Sequence, residues 1–324
     1  MSNFLNKSKD LYAGENGLEW FGDVFRLIKD LSVAKNYYNT DLFNIEEIIS
    51  ILEMQSFLGG EELNVIFSDY IKETIRRYTP VISPPESTPS NWYQIFFNNR
   101  RNNFLPFFMH ILRAEFASPR SGLVRRTVND GTRYAIISLN YDLVVESFVD
   151  AINASRFEGD LIEVEKKVYD PTWSKLNLAK LHGTIEEGPI VPPTWAKGTH
   201  RSIVPVWSMA SEILRDSNHI RFIGYSLPVA DSYLKYLLKS SVLLSERLKT
   251  VDVICTDYDG SVKQRYEDFF RLPSFRFANC SLMDLQAAFA KKFTVDGFVS
   301  TEYASVSSLN SEAVYDSFMM AHGR

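Results

Sequence analysis

The sequence predicts an α/β fold built on a mainly parallel sheet. Two observations carry that expectation. From residue 133 onward, short apolar runs alternate with segments of helical periodicity. Four of those runs, in "SLNYD", "KLHGT", "FIGYS" and "ICTDYD", end in polar, small or glycine-containing turns. Ligands bind outside the carboxyl ends of strands in such sheets. Bulk composition agrees: 324 residues at 45% hydrophobic content supply a sizeable core, and 14% aromatic residues argue against disorder.

The elements follow in order. Residues 18–78 read as helical, with Leu18, Phe21, Phe25 and Ile28 on one face and Ile45, Ile48, Ile49 and Leu52 on another. Asn44 and Glu47 stand in the capping-box positions of the second helix. The stretch 79–92 holds four prolines and reads as a loop. A further helix is expected over 92–117, kinked or divided at Pro106, with His110 as a packed core histidine. Then "RYAIISLNYD" is a short buried strand, "LVVESFVDAI" a helix and "LIEVEKKVYD" a partly alternating strand. "LNLAKLHGTI", "HIRFIGYSL", "TVDVICTDYD" and "SFRFANCS" read as strands. "PVWSMASEILRDS", "ADSYLKYLLKSSVLLSERL", "SVKQRYEDFFRL" and "LMDLQAAFAKKF" read as helices. The tail after Asp296 is weakly patterned, suited to an interface or to remaining loose. No internal repeat is found.

Several function classes are disfavoured. A net charge of -5, with only short basic pairs at Arg100-Arg101 and Arg125-Arg126, gives no electrostatic footprint for nucleic acid. No apolar run approaches the ~18 residues of a membrane span. The start "MSNFLNKSKD" lacks a signal peptide's apolar stretch, which points to a cytoplasmic, reduced setting. The two cysteines, Cys255 and Cys280, lie in apolar runs and read as buried thiols; a four-thiolate zinc site is impossible.

The strand ends carry the candidate chemistry. An amide such as Asn140 donates and accepts at once and suits a sugar or a water. Asp142 reads equally well as the cap of the following helix. A neutral imidazole at His182 is able to take a proton from a ribose hydroxyl or a water, and Gly183 allows close approach. A lone histidine is more often structural; its place among aligned strand ends reverses that. Gly224, Tyr225 and Ser226 offer backbone approach and N–H groups near a helix N-terminus for phosphate. Asp231 stands at that helix's start as a cap. Thr256 and Asp257 occupy either a nucleotide's adenosine end or an ordinary strand-to-helix turn.

"SLNYDLVVE", "KLHGTIE", "IVPPTWAK", "RFIGYSLPVADSYLKYLL" and "DVICTDYD", in this order, resemble the SIR2-like proteins of bacterial anti-phage defence over about residues 40–290. "NIEEIISILE" is similar to that family's helical insertion. The resemblance implies a sirtuin-type Rossmann-like parallel sheet with a helical subdomain near the N-terminus. The implied division is 1–130 mostly helical, 131–296 the SIR2-like core and 297–324 a C-terminal tail. It further implies NAD as substrate, with Asn140 and His182 catalytic. Asp142, Gly183, Gly224, Tyr225, Ser226 and Asp257 would bind the nucleotide. The implied partners are copies of the chain and a ring-forming translocase-type ATPase or another sensor, with no direct contact to nucleic acid or membrane.

Two departures from the family stand out. Sirtuin deacylases carry a four-cysteine zinc ribbon; this chain cannot, so deacylation ranks last and no zinc is expected. The family also opens with a strand and a Gly-Ala-Gly-x-Ser phosphate loop. The nearest stretch here, "DLYAGENG", has the wrong spacing, no serine and no strand before it. Three consequences are open: a truncated form, a gap filled by another segment or subunit, or a site that no longer turns over NAD. The leading expectation is an NAD glycohydrolase that depletes NAD, and the alternative a non-catalytic SIR2-like module that binds a nucleotide or a partner.

Overall fold

A computed structural model of the chain describes residues 45–59, 63–79, 105–116, 124–126, 132–154, 157–158, 161–172, 174–186, 190–191, 201–229, 231–242, 245–293 and 311–323, with Gly22, Val24, Arg26, Leu27, Lys29 and Asp30. In chain order its first elements are α1 (Ile45–Phe57), α2 (Leu63–Tyr78), α3 (Leu105–Ile111), β1 (Ala114–Phe116) and β2 (Val124–Arg126). Next come β3 (Ile136–Ser138), α4 (Val144–Ala154), β4 (Phe157–Glu158), β5 (Val164–Glu165) and β6 (Leu176–Lys180). A 3-10 turn at Arg201–Ile203 leads into α5 (Val204–Asp216) and β7 (His219–Ile223). The chain continues through α6 (Ser232–Val242), β8 (Thr250–Ile254), α7 (Ser261–Phe269), β9 (Phe275–Ala278), α8 (Leu282–Phe293) and α9 (Ser311–His322). The fold is α/β.

Two parallel three-stranded sheets, ordered β3-β6-β5 and β7-β8-β9, form its centre. Their side chains alternate between two cores, as the period of a strand requires. Tyr134, Ile136, Leu176, Ile223, Ile254 and Ala278 face one core, which α3, α4, α8 and α9 complete. Ala135, Ile137, Ala179, Ile220, Phe222, Val251, Val253 and Phe277 face the other, which α5, α6 and α7 complete. Each core draws on both sheets, so the sheets lie in one layer between two helical layers. Fully buried Phe148, Phe289 and Tyr266 anchor these cores, each side chain contributing about 1.5–3 kcal/mol.

No ladder joins β3 to β7 among the described residues. The burial pattern matches: β6 is buried along its whole length and β8 along all but Thr250, whereas β3 is only half-buried and β7 mostly so. A strand paired on both sides in a parallel sheet is normally sealed on both faces. β3 and β7 thus lie towards the middle of the layer, with no ladder between them among the described residues. What ties the halves together there is α9. Glu312 accepts a hydrogen bond from the Tyr134 hydroxyl at 3.1 Å and is gripped by both terminal nitrogens of Arg221. Arg221 also lies 4.0 Å from the centroid of the Tyr315 ring. Beside it, fully buried Asp252 on β8 receives Arg276 Nε at 2.7 Å and Nη2 at 2.8 Å.

α9 corrects the reading of the tail. Residues 311–322 form a helix whose Val314, Tyr315, Phe318 and Met319 are buried in the first core. A second correction concerns the helix expected over 92–117. Residues 92–104 and 117 of it lie outside the described residues; Leu105–Ile111 is helix, with Pro106 in its first turn, where its missing N–H costs nothing, and the helix does not run on through 112–116. Arg113 adopts a left-handed φ of 58° and ends the helix. Ala114–Phe116 then pairs antiparallel with β2, which in turn pairs parallel with β4.

α1 and α2 pack on each other through Ile48, Ile49, Leu52, Phe67, Tyr70 and Ile71, with Val24 and Leu27 in the same cluster. Ile48, Ile49 and Leu52 are the face that the periodicity of α1 predicts. Leu18, Phe21, Phe25, Ile28 and the proposed cap Asn44 lie outside the described residues, as does "DLYAGENG". The cluster also takes in Ile190 and Tyr141, and Arg76 donates to the Ile185 carbonyl at 3.2 Å. The helical pair therefore rests on the loops that leave β3 and β6. None of the described helices is long and apolar enough to cross a membrane.

Candidate functional site

The β3–β6 ladder sets the geometry of the first half of the site. Ser138 pairs with Lys180, and the Leu181 N–H continues the ladder to the Ser138 carbonyl at 3.0 Å. Asn140 and His182 each follow their last paired residue by two positions. The parallel register therefore brings them out at the same level on adjacent strands. Asn140 is exposed, and its side-chain amide has no partner among the described residues; its backbone N–H donates to Ser138 Oγ at 3.2 Å. His182 is 4% exposed, its ring 5.9 Å from that of Tyr141. Tyr141 in turn packs against the α1–α2 cluster, so one tyrosine lies against both the histidine and the helical pair.

The loop after β6 is held by backbone contacts. Gly183 takes a left-handed φ of 80°, a conformation that costs most residues about 1–2 kcal/mol. Its N–H closes a turn to the Lys180 carbonyl at 3.1 Å, and Ile185 N–H donates to the Tyr141 carbonyl at 3.0 Å. Val191 N–H donates to the His182 carbonyl at 2.9 Å, and Trp207 Nε1 to the Leu181 carbonyl at 3.0 Å. Asp142 accepts from the Val144 N–H at 3.1 Å. It caps α4, the structural alternative that its position allowed.

The second half of the site lies at the ends of β7 and β8. Gly224 has a φ of 70° and open space where a Cβ would stand, which admits close approach of a ligand. Tyr225 donates its hydroxyl to Asp231 at 2.9 Å, and Asp231 also accepts from the Leu234 N–H at 3.2 Å, capping α6. Helix α7 pins the loop from below: Tyr266 donates to the Tyr225 carbonyl at 2.9 Å and Arg265 Nε to the Ser226 carbonyl at 3.1 Å. Leu227, almost fully buried, carries a φ of 50°, a strained value for a branched residue. Ser226 keeps its hydroxyl turned to no other described residue.

Asp257 is engaged with the start of α7. Its carboxylate accepts from the Val262 N–H at 3.3 Å and the Lys263 N–H at 3.0 Å, closing the start of α7. Asn279 clamps its backbone, accepting from the Asp257 N–H at 2.8 Å and donating to its carbonyl at 2.6 Å. This is the ordinary strand-to-helix turn. Cys255, just before it, is buried, and burial together with the Asp257 charge pushes its thiol pKa up; Cys280 is half-buried and shifted the same way. Both are poor nucleophiles.

One charged pair escaped the sequence reading. Lys180, the last residue of β6, is 6% exposed; its ammonium donates to the Asp142 carbonyl and lies 3.4 Å from both carboxylate oxygens of Glu146 in the first turn of α4. The signal in the sequence was a lysine closing the buried strand "LNLAK" immediately before "LHG". Among the described residues no three histidine, cysteine or carboxylate side chains converge as a metal site.

A scan against protein-family models and a search of curated proteins each return no match for this chain.

Proposed function

We propose that the chain is a SIR2-like NAD glycohydrolase of sirtuin-type fold. The observation that carries this reading is the β3–β6 register, which brings an unengaged amide, Asn140, level with a buried imidazole, His182. Water adds across the nicotinamide–ribose bond. The bond breaks through an oxocarbenium-like transition state, nicotinamide leaves with the electron pair, and the water oxygen bonds to the ribose. Asn140 orients ribose and water. His182 takes the proton from the water or from a ribose hydroxyl, an effect worth about 10²–10⁴-fold. The burial of His182 limits water at the imidazole. Gly224 and Ser226 receive the phosphate-bearing part of the nucleotide, where the open Cβ space of Gly224 fits a closely approaching ligand. The wider reading is an effector that drains NAD during phage infection, assembled with copies of itself and a ring-forming ATPase or other sensor.

A second reading, a non-catalytic SIR2-like module, is favoured by a different observation. The carboxylates of Asp142 and Asp257 accept from backbone N–H groups at the starts of α4 and α7. A nucleotide laid across both halves of the site would compete with those helix starts for them.

Free nicotinamide measured after incubation with NAD separates the two. Wild type is expected to release it, and His182→Ala and Asn140→Ala to release at least 100-fold less. Absence of release from wild type, with and without a candidate partner ATPase, refutes the hydrolase. Release that survives both substitutions refutes the residue assignment alone.

A further inference from the structure

The Lys180–Glu146 pair lies where a cation is costly. It stands at the N-terminal end of α4, and a helix dipole repels positive charge there. Burial pushes the lysine pKa down, opposed by the Glu146 charge. An apolar pair of similar volume would fill such a position at least as well. The arrangement therefore asks for a reason beyond stability.

The contacts supply one. Lys180 faces the side of the sheet on which α4 packs, because Leu176 on the same face lies in the core of that side. From there its ammonium reaches the carbonyl of Asp142, two residues after Asn140, while Lys180 itself ends its strand two residues before His182. Glu146 holds the ammonium from α4 and is itself 3.6 Å from Lys166, which lies 3.3 Å from Glu186 in the loop beyond His182. One chain of charges thus connects the loop after β3, the start of α4 and the loop after β6.

We infer that Lys180, neutralised by Glu146, is a positioning residue that clamps the Asp142 carbonyl and so holds the Asn140 amide level with His182. The choice of reaction rests on the NAD hydrolase reading; the clamp itself does not. Misplacing a reacting group by about 1 Å costs on the order of 10²-fold in rate, and that is the scale of effect a clamp can have.

The test compares wild type, Lys180→Met, Lys180→Arg and the pair Lys180→Met/Glu146→Gln, which leaves no uncompensated buried charge should the single variant fail to fold. Two quantities are read: nicotinamide release at varied NAD, and amide hydrogen exchange. Lys180→Met, or the paired variant, is expected to lower kcat by about 10–100-fold with KM within about threefold. Exchange across 139–147 should rise about tenfold while 251–254 stays protected, and Lys180→Arg should recover part of both. Unchanged exchange at 139–147 overturns the clamp, as does a loss of protection that extends equally to 251–254. If wild type releases no nicotinamide, the hydrolase reading falls, and the exchange result alone still upholds or overturns the clamp.

Discussion

His110 packs inside the first core, its ring 4.8 Å from that of Phe289 and 8% exposed. Burial, reinforced by the charge of Arg113, lowers its pKa from 6.5 to about 4. Between those two values the unfolded chain binds a proton that the folded chain refuses. Stability is therefore full above pH 6.5 and falls as the pH drops towards 4, by about 3 kcal/mol for a shift of this size. Urea unfolding at pH 7 and pH 4.5 should show His110→Phe losing markedly less stability on acidification than wild type; equal losses would reject the assignment. The packed character of His110 was legible from its apolar helical face. That Asn140 and His182 fall just past strand ends was legible too; that they stand level rests on the non-local β3–β6 register. The helix-start bonds of Asp142 and Asp257 were not: a carboxylate at a strand end serves a ligand or a helix start equally well, and the sequence does not say which N–H groups it meets. Lys180 was invisible because its two partners lie 34 and 38 residues away in sequence.

At the scale of elements, the turn between β8 and α7 makes the distinction testable. Asp257 holds two N–H groups at the start of α7, and loss of such a cap costs about 0.5–2 kcal/mol. Asp257→Ala should lower stability in urea unfolding by that amount and leave the KM for NAD within about threefold. A KM rise far larger than the stability loss would return the carboxylate to the ligand. The strands and helices from residue 133 to 293 were readable because each is a local pattern with its own period. The short β1, β2 and β4 were not, since two or three residues carry no period and their pairing is non-local. The helix expected to run to residue 248 stops at Val242. Ser240 bonds back to the Leu237 carbonyl at 3.0 Å near that end, a competition with the helix ladder that favours termination.

For the whole molecule, the main structural fact is a layer of two half-sheets that share both cores yet have no ladder between them among the described residues. The segment in which the sequence shows no first strand lies outside the described residues; the link through Glu312 did not appear until α9 was seen to fold onto the core. Glu312 joins Tyr134, which leads into β3, to Arg221 on β7. Arg221 is mostly buried, and its other carboxylate, Asp252, stands 3.6 Å away and is already paired with Arg276. Losing hydrogen bonds to a charged group costs roughly 1.5–3 kcal/mol. Glu312→Ala should therefore reduce stability in urea unfolding by about that much. The loss should also be localised: amide exchange should rise across 134–138 and 219–223, the two segments Glu312 joins, while 251–254 in the centre of its own sheet keeps its protection. A uniform rise in all three segments would mean that α9 merely adds to the core, whereas a rise confined to the two joined segments identifies Glu312 as the tie between the halves on which the two parts of the candidate site stand.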